Sequence, residues 1–258
     1  AASYQFGYRI AILISSSFAL IFASDYGWTL TYQVMSLLML IGIIGVLICP
    51  EEVNVNLKRL TLQNSIVEPL KDFITRFGLY FASFLLMIVA TYRLTDIVMG
   101  PMASPFYLEK GYTLKEIGYI VKVVAVIASI VGFFLGGLLV KRLGVKVTLI
   151  IGAFLVLMTN LSFSLVAILE KDLYLLGWVV GADSLAAGVV GTANITFLTS
   201  LVSKKYTAVQ YALLTSFMML PGKFFSGFSG MLANFMKYEF GEENGWMAFF
   251  IFTSLLTL

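Results

Sequence analysis

Apolar residues fall along this chain in eight runs, parted by short polar breaks and by one long polar stretch: Tyr8 to Ser24, Trp28 to Cys49, Phe77 to Gly100, Ile117 to Val140, Val145 to Leu169, Leu173 to Val202, Ala208 to Met236, and Trp246 to the end. Most reach about 20 residues, the length an α-helix needs to cross a bilayer core, and none shows the two-residue alternation of a barrel strand. The pattern predicts an all-α, polytopic helical membrane protein. Asp25-Tyr26-Gly27 reads as a tight turn between the first two spans, with Trp28 and Tyr32 placed where aromatic rings favour the membrane interface.

The long polar stretch runs from Pro50 to Arg76. Within it Leu60, Ile66, Val67, Leu70, Phe73 and Ile74 recur loosely at helical spacing. Two readings stay open: a helix lying flat on the membrane and a solvated connector. The predicted organisation is two helices over 1–49, an interdomain linker over 50–76 and a six-helix unit over 77–258. The chain starts without Met and ends 13 residues into the last run, so it is expected to be a piece of a longer protein whose missing helices lie mostly before Ala1.

Composition agrees with the pattern. Hydrophobic residues make up 60% and charged residues 12%, about half the charged share of a soluble domain. One cysteine, Cys49, excludes an internal disulfide framework, and the absence of histidine excludes a His-Cys metal site or a histidine proton relay. No metal or other cofactor is expected, and no nucleic-acid partner. The net charge of +3 matters less than its placement. Lys58, Arg59, Lys71, Arg76, Lys141, Arg142, Lys146, Lys204 and Lys205 collect in alternate breaks, against Lys110, Lys115, Lys171 and Lys237 in the others, where acidic residues gather. By the positive-inside rule the linker and both ends face the cytoplasm.

Charges inside the runs carry the candidate chemistry, because a charge at membrane depth is costly and usually faces a protein interior or a water-filled path. Arg93 and Asp96 lie about 60° apart around a helix and can neutralise one another, with Tyr92 on the Asp96 face. Lys122, Asp183 and Lys223 are the other ionisable residues well inside runs. Three basic residues against two acidic ones suggest a cavity for an anionic solute. Lys122 is also placed to snorkel to the interface, and Asp183 to serve as a structural acceptor. Lys223 follows the helix-breaking Pro221-Gly222. Asn160, Asn194 and Gln210 read either as cavity-lining groups or as interhelical glue. Asp96 and Asp183 are the candidate proton-coupling carboxylates. Ala128, Gly132 and Gly136, and likewise Gly222, Ser226 and Gly230, form small-residue ridges read first as packing surfaces.

Six short motifs carry a family resemblance. Gly137-Leu-Leu-Val-Lys141-Arg142-Leu-Gly144-Val145-Lys146 resembles the major facilitator signature Gly-x-x-x-Asp-Arg-x-Gly-Arg-Lys, with Lys141 in place of the signature Asp and Val145 in place of its first Arg. Phe6-Gly7-Tyr8-Arg9, Gly27-Trp28, Val67-Glu-Pro69-Leu70-Lys-Asp72-Phe73, Tyr92-Arg93-Leu-Thr-Asp96 and Gln210-Tyr-Ala-Leu-Leu214 together resemble the AmpG-type muropeptide permeases. The resemblance implies helices five to twelve of a twelve-helix fold. It also implies a bacterial inner-membrane protein that imports anhydromuropeptides with the proton gradient, its partners being the solute, protons, the bilayer and the missing helices.

On its residues the chain is read as a secondary transporter with alternating access. No Gly-x-x-x-x-Gly-Lys-Ser/Thr motif supports direct ATP drive. A membrane enzyme would need a nucleophile and base, for which the candidates are poor. A carrier of another organic anion or an acyl-CoA-like solute, and a non-transporting remnant of the fold, stay as alternatives.

Overall fold

The computed structural model describes residues 11–12, 14–48 and 62–256. The expectations that fall on Phe6-Gly7-Tyr8-Arg9, on Cys49 and on residues 50–61 lie outside the described residues. Among those described, regular structure is entirely helical. A π-helical turn over Ile14–Phe18 leads into α1 (Ala19–Tyr26), followed by α2 (Trp28–Ile48), α3 (Leu62–Phe77), α4 (Leu79–Thr91) and α5 (Leu94–Glu109). A short turn over Leu114–Glu116 and a π-helical segment over Ile117–Val124 lead into α6 (Ala125–Leu143). The chain continues through α7 (Val145–Ile168), α8 (Leu173–Leu201), α9 (Thr207–Ser226), α10 (Ser229–Phe240) and α11 (Glu242–Leu255).

Among the described residues, five helical stretches are long and apolar enough to cross a membrane: Trp28–Ile48, Leu79–Glu109, Leu114–Leu143, Val145–Ile168 and Leu173–Leu201. The other three apolar runs are helical in shorter or interrupted form. The first is the π turn with α1. The seventh is parted at Gly227-Phe228 into α9 and α10, and the eighth begins at Glu242, earlier than the apolar pattern indicated.

The joint between α6 and α7 is one residue. Gly144 adopts φ +81°, which a residue with a Cβ rarely takes, and its carbonyl accepts from the Thr148 hydroxyl at 2.8 Å, so the chain reverses without a loop. Gly78, at φ +75°, makes the same joint between α3 and α4.

At the centre, α8 packs along α6 and α7. Without a hydrophobic drive between helices in lipid, such association depends on close van der Waals fit, and here the fit is backbone to backbone. A Cβ on Gly132 would stand 2.2 Å from the Leu185 carbonyl oxygen, and one on Gly188 would stand 2.5 Å from that of Ser129. The first small-residue ridge is thus a packing surface. The second is looser: a Cβ on Gly222 would strike the Ile97 side chain at 2.6 Å, but one on Gly230 would meet Met102 only at 3.8 Å.

Helix α9 packs on α4 and α5, and α11 on α7 and α10. An aromatic core of Phe106, Phe163, Trp246, Phe249 and Phe250 fills the end of the bundle where α5 stops. Polar ties close that end. Glu109 accepts from Lys237 at 3.0 Å and from the Trp246 indole at 2.9 Å, and Lys171 pairs with Glu116 at 2.8 Å. Helix α2, by contrast, buries only Thr31. Packing of the π turn and α1 on the Leu114–Val124 segment, with an ion pair between Asp25 and Lys115, joins the first two helices to the rest.

Replacing Gly132 by Ala in the full-length protein is expected to cost about 1–3 kcal/mol by overpacking, read as a lower thermal midpoint in detergent. Gly137→Ala, where a Cβ meets nothing within 4 Å, leaves the midpoint unchanged. Equal midpoints for the two variants would contradict this packing.

Candidate functional site

Tyr92 and Arg93 interrupt the longest apolar stretch. The Thr91 hydroxyl donates back to the Met87 carbonyl at 2.9 Å, a bond that competes with helix geometry. Arg93 then leaves it, at φ −111° and ψ 12°, and α5 starts at Leu94. Residues 92–96 are therefore not on one continuous helix as the spacing suggested. Arg93 is the N-cap residue of a new helix, and Asp96 lies in its first turn, where the positive end of the helix dipole favours a carboxylate. The ion pair forms across this break at 3.6 Å. The Nε of Arg93 is buried with no hydrogen-bond partner among the described residues.

Tyr92 reaches across to α7. Its hydroxyl donates to the Leu149 carbonyl of α7 at 3.1 Å, and its ring rests on Val156 and Val190. A Cβ on Gly152 would stand 3.2 Å from that hydroxyl and 2.7 Å from Val190 Cγ2, so α7 carries glycine where Tyr92 crosses it. Tyr92 thus fixes the break to α7.

The second carboxylate in the bundle, Asp183 of α8, lies within electrostatic reach of Asp96. Its Oδ1 stands 3.0 Å from the Thr159 hydroxyl of α7. That hydroxyl also lies 3.2 Å from the Val156 carbonyl and has one hydrogen to give. The buried Tyr107 of α5 is within electrostatic reach of Asp183 as well. Thr159 and Tyr107 were not legible as site residues, because neither is charged and Tyr107 lies beyond the end of its apolar run at Gly100. The structure therefore brings together Arg93, Asp96 and Asp183 from α5 and α8, with Thr159 from the helix between them.

The other candidates divide. Asn160, next to Thr159, is 1% exposed, and its Nδ2 has no partner among the described residues. Asn194 ties α8 to α9, its Nδ2 standing 2.9 Å from Met218 Sδ. The backbone of Lys122 lies in the Ile117–Val124 π-helical segment, which packs on α8, while its side chain is outside the described residues. Lys223 is exposed on α9, next to Gly222, which packs on Ile97. In the signature-like motif Gly144 makes the joint described above. Gly137, Lys141, Arg142 and Lys146 are exposed, and no ion pair forms from these three cations among the described residues.

Gln210 takes the second of its two readings, as glue between helices: it is buried at the α3 end of the bundle. Its amide donates to the Pro69 carbonyl at 2.8 Å and to Asp72 Oδ2 at 2.9 Å, and its oxygen accepts from Ser203 N at 2.7 Å and Arg76 Nη2 at 3.1 Å. The reason is its place: in the first turn of α9, immediately beyond the turn that follows α8, it meets the connector helix. The apolar residues of α3 divide: Phe73 is 3% exposed among Ala82, Leu85, Leu198 and Leu214, whereas Ile66 and Val67 stay exposed.

The profile of the Major Facilitator Superfamily matches residues 1–226. Over its whole length the chain is 33% identical to a Rickettsia conorii protein that carries the name AmpG 4, covering 61% of that protein. Over 98% of its length it is 30% identical to the anhydromuropeptide permease of Escherichia coli strain K12, covering 50% of it. A Rickettsia bellii protein named AmpG 1 is 29% identical over 99% of the chain. The chain thus spans about half to three-fifths of the length of the curated relatives it matches.

The Gln210 cluster generates a pH prediction. Hydrogen bonding from Gln210, and after it the Arg76 guanidinium, hold the Asp72 carboxyl below its ordinary value despite partial burial. A depressed folded value means stability that is present above the unfolded value, about 3.9, and lost as pH falls through the lower folded one. Asp72→Asn is therefore expected to lower the thermal midpoint by a constant amount from pH 8 to 5, and by less as pH falls towards 3. A difference that stays constant down to pH 3 would contradict the pairing.

Proposed function

Because the chain belongs to the Major Facilitator Superfamily, we propose that it forms part of a secondary active transporter that imports an anionic cell-wall fragment, an anhydromuropeptide, across a bacterial inner membrane by proton symport with alternating access. The observation that carries the coupling is one of charge. Two carboxylates, Asp96 and Asp183, share an interior region of the spans with one described cation, Arg93. One proton taken up by this group makes it neutral. The name borne by the Escherichia coli relative supports the solute class.

In the proposed cycle Arg93 is the switch. Its unpartnered Nε and its loose 3.6 Å contact with Asp96 leave donors for a solute carboxylate. When the guanidinium turns to that anion, Asp96 becomes an uncompensated charge in a low-dielectric interior, and a proton neutralises it. Asp183, whose described partner is the neutral Thr159 hydroxyl, stands one helix away to pass or receive that proton. Tyr92 and Gly152 hold the break on α7, so the charges move with the C-terminal bundle. The basic breaks support an orientation with α3 and the α6–α7 joint at the cytoplasmic face, and the eight apolar runs support eight crossings.

The test uses the full-length protein in proteoliposomes with labelled anhydromuropeptide. Asp96→Asn and Asp183→Asn variants that fold are expected to retain solute exchange and to lose at least tenfold in accumulation driven by an imposed pH gradient. Arg93→Gln is expected to raise KM while leaving the folded yield unchanged. If both Asn variants accumulate solute at the wild-type level, proton coupling does not run through this cluster.

A further inference from the structure

The hydrogen bonds around Gln210 form a closed set. An amide side chain has two N–H donors and two lone pairs on its oxygen, and all four positions are used, by Pro69, Asp72, Ser203 and Arg76. The partners come from two places: Pro69, Asp72 and Arg76 from one face of α3, Ser203 from the turn between α8 and α9. Arg76 closes the circuit. Its Nε pairs with Asp72 at 3.1 Å, and its Nη2 donates to the Leu201 carbonyl at 2.9 Å. That carbonyl belongs to the last residue of α8, where orphan acceptors and the negative end of the dipole favour a cation.

Around this polar set lie three supports. Phe73 is buried in a cluster with Leu198, Leu201, Leu214 and Met218, the guanidinium of Arg76 lies 5.1 Å from the Phe77 ring, and the Tyr206 hydroxyl donates to Glu68 at 3.0 Å. Partial opening is penalised. Withdrawing α3 would strip a buried amide of two acceptors and one donor at once, and each buried group left unmade is far more costly than an intact bond is favourable.

We propose that Gln210 is a positioning residue that fastens the connector helix α3 to the α8–α9 end of the C-terminal bundle, so that α3 and that bundle move as one rigid body throughout the transport cycle. The two motifs involved, Val67 to Phe73 and Gln210 to Leu214, are far apart in the chain and meet only here. The proposal adds to the transport reading a boundary for the moving body, which starts no later than Pro69.

Spin labels at Val67 and Ala208, both exposed, in the full-length protein with Cys49 and every other native cysteine replaced by Ser, test it by pulsed distance measurement. One narrow distance population is expected, unchanged by added anhydromuropeptide or by a step from pH 7.5 to 5.5. Gln210→Leu is expected to broaden it at least twofold, and Gln210→Glu, which keeps the shape and loses the two donors, to broaden it as well. A shift of the wild-type population on adding solute or acid overturns the proposal, as does a Gln210→Leu population as narrow as the wild type.

In a second arm, Glu68→Cys and Tyr206→Cys are bridged by a short bis-methanethiosulfonate reagent. Uptake is expected to stay within twofold of the unbridged protein. Loss of uptake on bridging, restored by reductant, would show that α3 must leave the bundle and sinks the proposal. Absence of uptake in the unbridged wild type would instead count against the transport reading, while the distance measurement would still decide the role of Gln210.

Discussion

A charge held in hydrocarbon must find its counter-charge inside the protein, and the break at Tyr92-Arg93 is where this chain meets that requirement. Ending one helix and starting another does two things that a continuous helix cannot. It makes Arg93 an N-cap residue with off-helical dihedrals, and it puts Asp96 in a first turn, where unpaired backbone N–H groups and the dipole add to the guanidinium. The break itself is a cost, since a kink at membrane depth frees backbone groups that lipid cannot satisfy. Tyr92 offsets it by bonding to α7, and α7 accommodates the ring with Gly152.

Rigidity around that break comes from close contact and not from bulk. The α6–α8 seam has backbone against backbone at Gly132 and Gly188, a geometry that leaves no room for a register change. The Asp183 and Thr159 side chains are then held at fixed height between α8 and α7. At one end, aromatic packing and the Glu109, Lys237 and Trp246 ties close the bundle; at the other, Gln210 and Arg76 draw in the connector helix. A bundle tied at both ends, with a loosely paired cation between, suits a carrier in which charge rearranges locally while the helices move together.

The first two helices show the opposite balance. Apart from Thr31, α2 has no buried residue, and its contact with the rest runs through α1, the π turns and the Asp25–Lys115 pair. π-helical turns often occur at functional sites because their wider pitch departs from the regular ladder. Here two of them, Ile14–Phe18 and Ile117–Val124, lie against each other.

Much was legible in the residues alone. The apolar runs, the all-α class and the placement of Arg93, Asp96 and Asp183 inside them follow from the cost of polar groups in lipid, which acts on each segment separately and so leaves its mark on local composition. The role of Gly132 as a packing residue was readable for the same reason: a four-residue ridge is a local pattern. What composition could not express was which segments meet. Gln210 could be read as cavity lining or as interhelical glue because its type suits either; its four partners lie seven residues away or more than a hundred, and only the packing of α3 on α9 brings them to it. Thr159 and Tyr107 carry no charge and gained significance only by standing next to Asp183. The Tyr92-Arg93 break escaped an argument from helical spacing because Tyr92 finds its partner across the bundle, which the periodicity of the apolar run does not express. Burial in lipid is settled one segment at a time, whereas hydrogen-bond partners are settled by the fold.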